Sequence, residues 1–143
     1  MNFIKKQSVG FYLTTLTVII ATIGLVFYII NCNTNYFKNT GVSTGVVACI
    51  VVAVILEIIV IFASQKSGRK GYLDIGMIIA PMLLIIAFAI FVSLRVNSIA
   101  SILSFERNAQ TMADLSSAII GMGFCFASVI LSIVSAFFDI VRE

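Results

Sequence analysis

Four long apolar runs, at 9–30, 44–63, 75–94 and 115–138, alternate with three polar segments at 31–43, 64–74 and 95–114. Each run reaches the roughly 20 apolar residues that a helix needs to cross a bilayer. The last is somewhat longer and has room to tilt. The pattern predicts one all-α integral membrane domain over 1–143, an antiparallel bundle of four transmembrane helices. The first run exceeds the 7–15 residues of a secretory h-region and lacks a small-residue cleavage site, so it is expected to remain as a helix.

The periodicity within the runs indicates their packing faces. In lipid, helices associate by close contact, and small residues mark the seam. Helix one carries Gly10, Thr14, Thr17, Ala21, Gly24 and Tyr28, spaced alternately by four and three. Helix four carries Ser117, Gly121, Ser128, Ser132 and Ser135, with Cys125 beside them. Helix two shows Gly41, Gly45, Cys49, Ala53 and Glu57 at intervals of four, and helix three a weaker set of Gly76, Ala80 and Ala87. After the third run, Ile99, Ile102, Leu103 and Phe105 keep apolar residues coming. They predict a continued helix and a turn whose outer surface, notably Ile99, Ile102 and Phe105, covers either the first loop or a partner.

Composition fits lipid as the solvent: of 143 residues, 61% are hydrophobic and 10% charged, against roughly 25% charged in soluble domains. The placement of charge sets the orientation. Lys5, Lys6, Lys66, Arg69, Lys70 and Arg142 fall on one side, and Lys38, Arg95 and Arg107 on the other. Six against three predicts both termini in the cytoplasm and a multi-pass protein of the plasma (cytoplasmic) membrane. Tyr12, Tyr28, Tyr36 and Tyr72 lie near run ends, where headgroups suit an amphipathic ring. No basic tract implies nucleic acid.

One carboxylate, Glu57, lies inside a run, about 10 Å from its end at 1.5 Å per residue. An intramembrane acid usually faces the bundle interior or a cavity and marks function or a fixed hydrogen bond. Thr14, Thr17, Ser128, Ser132 and Ser135 are expected at a similar depth. Pro81 frees the carbonyl of Met77, another acceptor for a protonated Glu57. Asp114 is placed to cap helix four, and Arg95, Glu106, Arg107 and Asp114 to pair above the membrane. There is no histidine, and the three cysteines show no metal-ligand spacing. No catalytic set, metal or cofactor is therefore expected. Two functions follow. The leading one is a small accessory or scaffold subunit that binds a larger membrane protein, plausibly a transporter, through its helix faces. The alternative is a homo-oligomeric transporter or channel that uses Glu57 for proton or cation coupling.

Overall fold

The computed structural model describes residues 8–67 and 70–140. They form four helices: α1 (Val9–Cys32), α2 (Thr44–Ser67), α3 (Gly71–Ser104) and α4 (Ala109–Ser135). All four are long and apolar enough to cross a membrane. Large aliphatic and aromatic side chains cover their outer faces, among them Ile59, Phe62, Ile78, Ile119 and Phe126. The basic residues Lys5, Lys6, Arg69 and Arg142, on which the orientation depends, lie outside the described residues.

The helices pack as two close pairs, α1 on α4 and α2 on α3, with α3 also against α4. On α1 the buried residues include Gly10, Thr14, Thr17, Ala21, Gly24 and Tyr28, the seam its spacing predicts. Gly10 lies against the backbone of Asp139 and Gly24 against that of Cys125, so the pairing keeps one register along the helices. On α4, Gly121, Cys125, Ser128, Ser132 and Ser135 are buried, Cys125 within the stripe and Ser117 only half-buried.

α2 departs from its predicted stripe. Its buried face is Val46, Ile50, Ala53, Glu57, Val60 and Ser64, with Gly45 and Cys49 half-buried. A strict interval of four overshoots the 3.6-residue turn and drifts around the helix; the bulky β-branched residues fill the core instead. Ala53 and Glu57 belong to both sets. On α3, Gly76 is half-buried while Ala80, Pro81, Leu84, Ala87 and Phe91 face inward.

The ends differ more. α3 runs for 34 residues, roughly 50 Å at 1.5 Å per residue, and leaves only 105–108 as a loop. α4 begins at Ala109 because Asn108, not Asp114, caps it: Asn108 Oδ1 accepts from the Thr111 amide (2.9 Å) and Thr111 Oγ1 from the Asn108 amide (3.0 Å). Such a reciprocal cap satisfies two orphan donors at once.

Candidate functional site

The interior contains two separate polar centres. The first is built on Glu57, which is 1% exposed. Ser132 Oγ donates to Glu57 Oε1 (2.8 Å), joining α2 to α4. Glu57 Oε2 is buried with no hydrogen-bond partner. The α1/α4 register places Thr17 level with Ser132 and Thr14 level with Ser135, so all the polar residues expected here line one stretch of the interior and are buried. They are not equivalent. Thr15, Thr17 and Thr22 donate to carbonyls four residues back on α1, and Ser128 and Ser135 to carbonyls three residues back on α4. Thr14 Oγ1 alone among the α1 threonines has no partner. Two orphan oxygens, one from a carboxyl and one from a hydroxyl, therefore sit within about one helical turn of each other in axial level. Pro81 is buried within α3.

Beyond Glu57, at the end where Lys70 and the residues that follow α4 meet, lies a cavity of about 210 Å³. Val60 and Ser64, on the same face of α2 as Glu57, line it together with Met77, Lys70, Asp74 and Asp139. Val60 follows Glu57 by about one turn, roughly 4.5 Å. Val60 and Met77 line the cavity and Glu57 does not.

The second centre corrects the sequence reading. Arg95 does not lie in an outer loop paired with Glu106, Arg107 or Asp114. It is fully buried on α3, level with the last turn of α1. Gly76 beside Val60 sets the α2/α3 register and puts Arg95 roughly 24 Å farther along the axis than Glu57. Arg95 Nε donates to Asn31 Oδ1 (2.8 Å) and Nη2 to Cys32 Sγ (3.1 Å). Its guanidinium carbon lies 5.0 Å from the Phe37 ring centre, 5.8 Å from that of Tyr28 and 6.0 Å from that of Phe91. Tyr28 is thus an inward-facing wall of this cage and not a headgroup anchor, while Tyr12 and Tyr72 are exposed.

The first loop roofs the cage. The Ser43 amide donates to Tyr28 Oη (2.7 Å) and the Tyr36 amide to Asp114 Oδ2 (3.0 Å). Gln110 Nε2 donates to Asp114 Oδ1 (2.9 Å), and Asn31 Nδ2 to the Asp114 carbonyl (3.2 Å) and Ser117 Oγ (3.0 Å). Phe37 packs with Ile102, Leu115 and Ala118, and Ile99 joins from the side. Of the three residues expected on an outer partner surface, Ile102 is therefore buried under the protein's own loop and Ile99 is partly covered. Phe105 remains 90% exposed. The signal for Arg95 was present in the sequence: inward positions 84, 87, 91, 95 and 102 continue one helical face past residue 94.

No family model, curated protein or solved structure matches this chain.

Proposed function

We propose that the chain is an antiparallel four-helix bundle of the cytoplasmic membrane, with both termini cytoplasmic, that binds a proton or monovalent cation at Glu57 and couples that binding to transport as a homo-oligomer. With Arg95 inside the fold, the basic residues divide six against two, which strengthens the cytoplasmic placement of the cavity end. The observation behind the proposal is the pair of orphan oxygens, Glu57 Oε2 and Thr14 Oγ1. A carboxyl group that only tied helices together would gain from bonding both its oxygens, and each unmade buried bond costs about 1–3 kcal/mol. An oxygen-lined site with one negative charge is neutralised by one proton or one monovalent cation, the form in which a carboxyl group tolerates lipid. The cavity supplies a route from the cytoplasmic end as far as Val60 and Met77. Ser128 and Ser135 donate to carbonyls of their own helix and the chain has no histidine, so neither serine is set up as a nucleophile.

Flux in liposomes tests this. Purified protein is reconstituted around a pH-sensitive dye, and sodium or proton gradients are imposed in turn. Gradient-driven flux in the wild type should fall at least about tenfold in Glu57→Gln, which can keep the Ser132 bond, while the thermal midpoint stays close to wild type. Flux undiminished in Glu57→Gln, or wild-type liposomes no leakier than empty ones, would leave Glu57 as a packing residue.

The accessory reading, a scaffold for a larger membrane protein, retains one specific support: Leu103 and Phe105 are apolar and exposed at the C-terminal end of α3. Native mass in mild detergent separates the two. A homo-oligomer agrees with the transporter, and a stable complex with a larger membrane protein replaces it with the accessory subunit.

A further inference from the structure

A guanidinium stays charged at every accessible pH, and burying an ion is costly unless an opposite charge and hydrogen bonds compensate. Arg95 is compensated only in part. Its two bonded partners, the Asn31 amide and the Cys32 thiol, are groups without formal charge in their ordinary states, and the rings of Tyr28, Phe37 and Phe91 offer only their quadrupoles. Nη1 is buried with no acceptor at all. The nearest acid in the network, Asp114, spends both carboxylate oxygens on the Tyr36 amide and Gln110, and reaches Asn31 only through its backbone carbonyl. Among the described residues no carboxylate pairs with Arg95. It lies level with the last turn of α1, beneath the first loop.

We propose that Arg95 is a binding site for one small monovalent anion of halide size, held at Nη1 inside the Tyr28–Phe37–Phe91 cage. Nη1 is the only guanidinium nitrogen without a bonded partner, and its surroundings are aromatic rings with no further donor, so it suits a single-atom acceptor better than a carboxylate or phosphate. The apolar walls favour an ion that sheds water easily. The site is independent of Glu57: it lies at the other end of the helices and shares no residue with that centre.

The test is thermal stability of the detergent-purified full chain, titrated with sodium chloride and sodium iodide against gluconate at constant ionic strength. A ligand that binds only the folded state raises the midpoint along a saturating curve. The wild type should show that curve for both halides, and Arg95→Gln should abolish it or move half-saturation by at least about tenfold. Asn31→Asp places a carboxylate against Nε and should remove the halide response by supplying the missing charge in the protein itself; it keeps the test decisive if Arg95→Gln does not fold. A second readout uses Tyr28, since the chain has four tyrosines and no tryptophan. Iodide should quench a saturable fraction of tyrosine emission, and that fraction should vanish in Tyr28→Phe. A wild-type midpoint indifferent to halide overturns the proposal. So does a halide response that survives unchanged in Arg95→Gln or in Asn31→Asp, because the ion would then bind elsewhere.

Discussion

Glu57 and Arg95 show how differently two buried charges present themselves in a sequence. Glu57 stands alone in an apolar run, so its rarity exposes it. Arg95 has Asn97 and Ser98 close behind it and falls where the third run ends, so its local composition reads as loop. Only the helical phase that links Phe91, Arg95 and Ile102 reveals it, and that signal needs the aromatic cage to have meaning. Cys32 was likewise legible only as a loop thiol, because its partner comes from a helix 63 residues away in the chain. At the rim of the same loop, Tyr36 gives a pH test. A hydrogen bond to the Glu106 carboxylate, assisted by partial desolvation and the negative charge of Glu106, raises the Tyr36 hydroxyl above its usual value near 10. A raised acid contributes stability that is complete below the unfolded pKa and is lost as pH rises through the folded one. The loop should therefore loosen only in alkali. Ultraviolet difference titration of wild type against Tyr36→Phe should find this phenol titrating late. Glu106→Gln should bring it back towards the ordinary value, and an unchanged titration would mean that the contact is absent in the membrane.

At the scale of the helices, small residues proved informative where they meet backbone and misleading where they merely recur. The α1 seam was fully legible because its alternation of four and three follows a real helical face. The α2 stripe was half legible, since only Ala53 and Glu57 lie where the interval-of-four pattern and the true face coincide. The distinction predicts opposite behaviour for two glycines. A Cβ on Gly10 would lie 2.5 Å from the Asp139 carbonyl oxygen and 2.7 Å from that of Phe138, so the start of α1 and the segment that follows α4 would have to separate. On Gly45 it would meet the tip of Ile90 at 3.4 Å and Ser43 Oγ at 3.6 Å, ordinary contacts with movable groups. Gly10→Ala should destabilise by about 1–3 kcal/mol, the usual cost of overpacking. Gly45→Ala should be neutral, or stabilising by up to about 1 kcal/mol through helix propensity. Thermal midpoints in a fixed detergent decide the pair, and equal losses would restore the interval-of-four face on α2.

For the molecule as a whole, the span count and all-helical class follow from hydropathy, whereas the helix ends required the Asn108 cap and the docking of Phe37 against Ile102. The side of the membrane that each polar centre faces decides what each can do. If the cavity end is cytoplasmic, Glu57 is loaded from inside and Arg95 samples ions from outside. Cysteine accessibility measures this directly. With Cys32 replaced by Ser, and Cys49 and Cys125 by Ala, a single cysteine is placed at Phe105 or at Lys66, both exposed beyond the interior. A membrane-impermeant maleimide should label the Phe105→Cys protein in intact cells and the Lys66→Cys protein only after permeabilisation. The reverse pattern would invert both centres: external protons or cations would then reach the Val60–Met77 floor beneath Glu57, and the halide titration at Arg95 would report the composition of the cytoplasm.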